Sequence, residues 1–524
     1  MKVITEPPIS VKIDKMNQRV SWLHPSITSR GIDQTSMVID DGKEESPEFS
    51  FMVIGDSGAG DHWGHNPQRQ IAELMLPHRD DCRFVLHTGD VIYLVGSQDY
   101  YYPNFIKPYR EFLVNGENYK SIRYDNMVFN QPFLPVLGNH DYYDVPLAYR
   151  ILAGATLPIR RAFGYKELDI SWHGSYQGDA YAKAFIDYLQ RFRNKEKLGV
   201  HLDKRYTGKT DSGRCLRYLP GEFTRLPNRY YSFRYGGIDF FALDSSTFNT
   251  PLPIPTNSDT QGKRTILEKR SLEIEQEEQQ ILLAITELNS ESPDDAEKID
   301  DFNAKLEQLI EVKMDIEKQL NIQEEVVIDI EQLNWFKQRL IASWNNPHVR
   351  GRIVYFHHPP YVTEATKWHQ GQTLAVRDRL REVFDGVVEE LGELPPGRPV
   401  VDLILSGHAH CFEHLQTFDT GHADSHLNCI IAGGSGFSLR RQREEGAVLE
   451  ETFTDGNGVH TRKVARCNLF LGRNGQGSDK HRPYSFVRID VKDGTPPKFI
   501  VKPFVADRHH HHWEFPKIQP FTIN

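Results

Sequence analysis

The stretch "HTGDVIYL", residues 87–94, closes an apolar run on Gly-Asp and sets a tyrosine three places beyond the aspartate. A run of this kind reads as a strand buried on both faces that delivers a side chain at its end. The same form recurs in "FMVIGDSG" (51–58) and "FLPVLGNHD" (133–141), and two later runs, "RIVYFHHPPY" (352–361) and "VDLILSGHAH" (401–410), end in histidines. Strand ends of an α/β sheet converge at one rim, the usual place for a site. The five runs therefore predict a single sheet with Asp56, Asp90, Tyr93, Asn139, His140, His357, His408 and His410 gathered at its edge.

Outward from these runs the chain changes character. Residues 1–48 read as a polar, irregular extension, with the core beginning at Phe49. "RYYSFRYGGIDFFALDSS" (229–246) reads as a hairpin turning at Tyr-Gly-Gly, and "CIIAGGSG" (429–436), "YSFVRIDV" (484–491) and "KFIVKPF" (498–504) read as a second sheet. Residues 264–331 are rich in Glu, Gln, Lys, Ile and Leu. There Leu267, Ile274, Ile281 and Leu288 recur at sevens, and Ile299, Phe302, Leu306, Leu309, Ile316 and Leu320 follow a three-four spacing interrupted at Lys313. This predicts an antiparallel, coiled-coil-like helical hairpin. It reads equally as an arm for self-association or a protein partner and as an insertion packed on its own core. The expected order is a polar extension (1–48), a core in two parts (49–258 and 332–440), the hairpin inserted between them (259–331), and strands with a tail that complete the core (441–524).

With 39% hydrophobic and 26% charged residues, the 524-residue chain can bury a large core, and no apolar run approaches the ~18–20 residues of a membrane span. The first residues carry no apolar leader, so a cytoplasmic protein is expected. Five scattered cysteines without a C-x-x-C exclude a disulfide framework and a thiolate zinc knot. A formal net charge of −10 argues against binding a nucleic-acid duplex or an anionic membrane. The "RHHHHW" run at 508–513 reads as incidental.

Carboxylates, an amide oxygen and imidazoles together suit Fe, Mn or Zn. The set exceeds what a single four- to six-coordinate ion takes, which predicts two ions. A pair of cations needs one bridging carboxylate, for which Asp90 is the candidate, and His140 beside Asn139 would then face the substrate.

In "GDSG", "GDVIY", "GNHD", "VYFH" and "GHAH", taken in this order, the sequence resembles the calcineurin-like metallophosphoesterases. The first motif of most of that family is Asp-x-His, whereas here it is Asp56-Ser57-Gly58; the purple acid phosphatase branch compensates with a tyrosine three residues after the second-motif aspartate, where Tyr93 stands. The resemblance implies a four-layer α/β/β/α sandwich and hydrolysis of phosphate esters, in the manner of an acid phosphatase, by a hydroxide at a dinuclear centre. It assigns Asp56, Asp90, Tyr93 and His410 to Fe(III), and Asp90, Asn139, His357 and His408 to a divalent Fe, Zn or Mn. His358 is left as a neighbour. In "KWHQGQTLAVRD" (367–378) the resemblance to plant members makes His369 a candidate phosphate binder or leaving-group acid, while Trp368 replaces a substrate-facing histidine.

Two other functions fit the same residues. One is a nucleotide or cyclic-nucleotide diesterase, for which Trp368 and Tyr100–Tyr102 would supply stacking rings. The other is a scaffold or regulator acting through the helical hairpin. The expected substrate of the enzyme is a phosphorylated small molecule.

Overall fold

The structure is a computed structural model that describes residues 4–60, 65–145, 174–256, 260–289, 292–321, 326–392, 394–395, 397–455, 458–476, 479–509 and 512–524. Its strands are β1 (Ile32–Ile39), β2 (Phe49–Ile54), β3 (Val85–His87), β4 (Phe133–Pro135), β5 (Gly208–Thr210), β6 (Gly213–Tyr218), β7 (Tyr231–Tyr235), β8 (Ile238–Ala242) and β9 (Gly351–Tyr355). They continue with β10 (Leu403–Ser406), β11 (Phe412–Thr417), β12 (Asn428–Ala432), β13 (Val448–Asp455), β14 (Gly458–Leu471), β15 (His481–Lys492), β16 (Lys498–His509), β17 (His512–Glu514) and β18 (Phe521–Ile523). Residues 510 and 511 of the histidine run lie outside the described residues.

Eleven strands form the larger sheet in the order β13-β14-β11-β12-β10-β9-β8-β7-β1-β6-β5, and the smaller runs β17-β16-β15-β2-β3-β4 with β18 on β16. The sheets face each other through an aromatic layer. Phe51 and Phe84 of the smaller sheet meet Phe240 of the larger edge-on, at centroid separations of 5.6 and 5.3 Å. On the outer face of the larger sheet, Phe336 and Leu340 of a helix Ile330–Asn345 and Phe384 and Val387 of a helix Gly371–Leu391 pack on Phe241, Val354 and Ile404. A helix Pro67–Met75 covers the smaller sheet, with Ile71 and Met75 fully buried. This is a mixed α/β fold with the four-layer order implied by the resemblance.

Two expectations are corrected. The five motif strands do not share one sheet, since β2, β3 and β4 lie in the smaller and β9 and β10 in the larger, together with β12. Each is a continuous apolar run, and such a run carries no mark of which sheet receives it. Nor are residues 1–48 an irregular extension. Residues Ile9–Arg19 form a helix, and β1 runs parallel to both β6 and β7 inside the larger sheet.

Residues Gln261–Thr286 and Pro293–Leu320 are helices, hereafter α1 and α2, joined by a short connection. They meet through a narrow apolar seam of Ile274, Leu309 and Ile316. The opposite side of α2 lies on the core, where Met314 packs with Val95, Tyr143 and Val145. The carboxylate of Asp315 accepts from the backbone N–H of Gly371 and of Gln372, each at 2.8 Å, and so caps the helix that starts there. No helix among the described residues is long and apolar enough to cross a membrane.

Candidate metal centre

The ends of β2, β3, β4, β9 and β10 meet at one place. Asp56, Asp90 and His408, the residues that leave β2, β3 and β10, all sit in the left-handed backbone region, with φ of 52, 53 and 65°. A non-glycine residue there costs on the order of 1–3 kcal/mol and persists only where its surroundings hold it. Here the hold is visible. The carboxylate of Asp56 accepts from the backbone N–H of His408 at 2.9 Å, and that of Asp90 accepts from the N–H of His140 at 2.9 Å. Each turn is thus tied to a carboxylate from another strand. Space is equally fixed, since a Cβ on Gly138 would lie 2.0 Å from Asp90 Oδ1. One on Gly58, where the family's usual histidine would stand, would lie 2.0 Å from the carbonyl oxygen of Val91.

Around these carboxylates the remaining donors close in. The Tyr93 hydroxyl lies 2.9 Å from Asp56 Oδ1, 2.8 Å from Asp90 Oδ2 and 3.2 Å from His410 Nε2. Its ring stacks on Phe437 at 4.0 Å. The Nδ1–H of His357 donates to the Thr88 carbonyl at 2.8 Å and that of His410 to the Ser438 carbonyl at 3.1 Å, so each ring turns its Nε2 inward. For His357 that nitrogen lies 3.0 Å from Asn139 Oδ1 and 3.2 Å from Asp90 Oδ2. His408 receives Lys367 and Gln372 at Nε2, at 3.0 and 2.9 Å, while its buried Nδ1 has no partner among the described residues. His358 fills both ring nitrogens elsewhere, with Ser245 at 2.8 Å and Asn249 at 3.1 Å, and is a neighbour.

None of the seven donor residues is more than 3% exposed. Burial drives the Asp56 carboxyl up to about 8, whereas Asp90, also pushed up by burial, is brought well below the usual carboxylate range by His357 and His140. Burial and the two carboxylates raise the Tyr93 phenol far above its ordinary value, so a phenolate there requires a cation. Burial and nearby cations hold His408 and His410 neutral, the form that ligates. Asp90 is compensated by His357 and His140 whereas burial holds the Asp56 carboxyl up, so a cation bound between the two would take over that compensation and ionise Asp56. The nearest donor atoms of Asp56, Asp90 and His357 lie within 4.8 Å of one another. The residues fit a metal.

The structure does not bring His369 to this cluster. Its side chain is exposed, beside Arg443 and Glu445. Lys367, two places earlier, is 2% exposed and points at His408 instead. Trp368 is not a free stacking ring either, because the Arg377 guanidinium lies over it at 4.3 Å and Tyr361 stacks on it at 6.2 Å. Tyr101 is fully buried, and Tyr102 stacks on Tyr119. Sequence reasoning missed Lys367, Arg440, Glu307 and Glu311. The two glutamates are an i, i+4 pair on a helix read by its apolar positions alone, and only the long-range placement of that helix gives them a role.

The chain matches no family model and no curated protein. Among solved structures it is similar to a purple acid phosphatase from yellow lupin (Lupinus luteus) seeds, at 11% identity and a TM-score of 0.41, over 91% of this chain and 54% of that one. It thus spans about half the length of the lupin enzyme. GAP50, the anchor in the inner membrane complex of Plasmodium, is similar at 11% identity and 0.37, over 90% of this chain and 89% of that one. PhoD is similar at 11% identity and 0.37, over 91% and 70%. At such values no likeness assigns a function, which rests on the donor cluster itself.

Proposed function

We propose that this protein is a metal-dependent phosphoesterase that hydrolyses phosphate esters, monoesters among them, at a dinuclear centre. The observation that carries the reading is the convergence of seven buried donor residues from five strand ends, with Asp90 placed between the two halves of the set. Asp56, Asp90, Tyr93 and His410 would hold one ion, a ferric ion being the hard acid a phenolate suits, and Asp90, Asn139, His357 and His408 a divalent Fe, Zn or Mn. When bound, such a pair supplies charge to neutralise phosphoryl oxygens and acidifies water.

The chain's own residues do the rest. Tyr93 and the Asp56 carboxylate fix the deep side of the site, and the Thr88 and Ser438 carbonyls fix the tautomers of His357 and His410. His140 faces outward from the cluster. Its Nδ1 donates to the Leu94 carbonyl at 2.6 Å, which leaves Nε2 4.0 Å from Asp90 Oδ2. From there it can donate to a phosphoryl oxygen and stabilise charge that develops on it. Enclosure of the donors keeps bulk water out of the centre.

The reading is tested by assaying metal-loaded protein against a panel of phosphomonoesters, phosphodiesters and nucleotides, beside an Asp90→Asn variant. Turnover present with metal and abolished by the substitution is expected. Metal-loaded protein that hydrolyses no member of the panel refutes it.

A further inference from the structure

Glu307 and Glu311 stand one helical turn apart on α2 and reach the centre from outside it. Each is 7% exposed. Glu307 Oε1 lies 3.6 Å from His140 Nε2 and Glu311 Oε1 3.7 Å from it. Neither oxygen, nor that nitrogen, has a hydrogen-bond partner among the described residues. The other oxygen of each glutamate is held by a buried cation, Glu307 by Arg440 at 3.2 Å and Glu311 by Lys367 at 2.5 Å. Two carboxylates therefore fill a space walled by His140, Lys367 and Arg440, and Lys367 also touches the candidate ligand His408.

That wall is chemically odd for a structural contact. Burying Lys367 and Arg440, at 2% and 7% exposure, is costly unless an anion accompanies them. Three donors gathered on these two carboxylates, beside a candidate dinuclear centre, have the chemistry that receives a phosphoryl group. The anions present are instead supplied by the inserted helix. Part of its hold on this face is ionic. Asp301 pairs with Arg473 at 2.9 Å and Arg482 at 2.9 Å, Lys318 pairs with Glu6 at 2.7 Å, and Asp315 caps the facing helix. Met314 packs on the core and Leu309 and Ile316 on α1, while Ile299 and Ala304 of the same helix are buried as well, at 2% and 5% exposure.

We propose that Glu307 and Glu311 occupy the anion slots of the substrate, that Lys367 and Arg440 are the cations that bind its phosphate, and that α2 is a cover the incoming phosphate displaces. The inference rests on the phosphoesterase reading. It makes the insertion part of substrate binding.

The test is calorimetric binding of inorganic phosphate to full-length, metal-loaded protein, with metal content measured on the same samples. A Glu307→Gln/Glu311→Gln double variant keeps side-chain size and removes the competing charge. It is expected to bind phosphate at least about tenfold more tightly at unchanged metal content. Lys367→Gln and Arg440→Gln are expected to bind it at least about tenfold more weakly, with far-ultraviolet circular dichroism confirming the fold of all three. Equal or weaker phosphate binding by the double variant overturns the inference. So does the loss of one ion per chain in that variant, because His140, Glu307 and Glu311 would then be ligands of a further cation. Wild-type protein that holds metal yet binds phosphate no better than Asp90→Asn overturns the phosphoesterase reading itself.

Discussion

Replacing Tyr93 with phenylalanine separates a ligand from a packing residue with little change of shape. The ring is held by Phe437 at 4.0 Å and by His140 at 4.3 Å, contacts that phenylalanine retains, so no cavity forms. What disappears is the hydroxyl 2.9 Å from Asp56, 2.8 Å from Asp90 and 3.2 Å from His410. In metal-free protein its single proton is shared between two carboxylates. Loss of one hydrogen bond to a charged group should cost about 2 kcal/mol in denaturant unfolding. On the assignment proposed above, loaded protein loses one of four donors to one ion. Affinity for that ion should fall at least about 100-fold, or on the order of 3 kcal/mol, since removing even an outer partner of a ligand costs ten- to a hundredfold. Loading should also release one proton fewer, because the phenol has to ionise to ligate. Chelator competition gives the affinity, pH-stat titration the protons, and visible absorption of the ferric form proposed above the phenolate-to-iron transition. An unchanged affinity together with an unchanged spectrum would show that Tyr93 only packs.

Gly138 has φ of −101°, which any residue adopts, so Gly138→Ala tests space alone. With the new Cβ 2.0 Å from Asp90 Oδ1, the carboxylate must swing aside; elemental analysis should show lost metal, and unfolding a cost of about 1–3 kcal/mol. Glu413 is fully buried, with Thr363 donating to it at 2.9 Å, and burial pushes its carboxyl up to about 7 from an ordinary 4.5. A folded-state value above the unfolded one contributes stability that is complete below the unfolded value and is lost as pH rises through about 7. The difference is worth about 3 kcal/mol, so Glu413→Gln should flatten the decline in melting temperature between about pH 5 and pH 8; parallel curves for the two proteins would refute it.

The centre was legible because each candidate ligand stands within a few residues of the end of an unbroken apolar run, a local signal that needs no knowledge of the fold. The pairing of sheets was not legible, since β2 and β10 look alike by that signal. β1 escaped for another reason. Its Gln34, Thr35 and Ser36 are at most 3% exposed and are satisfied both locally and across the chain: Gln34 donates to the Val20 carbonyl at 2.8 Å, Asp33 accepts from Thr35 and Ser36 at 2.6 and 2.8 Å, and Thr35 Oγ1 accepts from Trp335 Nε1 at 2.8 Å. A buried strand of hydrogen-bonded polar residues carries the composition of a loop. His369 was placed at the site by its position in a motif, but the loop turns Lys367 inward and His369 out.

The pairing of β2 with β15, which sets Val53 against Val487 and Phe49 against Val491, bears on how the protein is made. β2 carries Asp56 at its end, yet its partner on one side is synthesised more than four hundred residues later. During translation this strand waits with one edge open while the motifs that follow emerge. A chain arrested before residues 481–492 have left the ribosome would carry all seven donors with one side of β2 unpaired. Such a chain would offer that open edge of β2 to other chains, a hazard that the order of synthesis builds in.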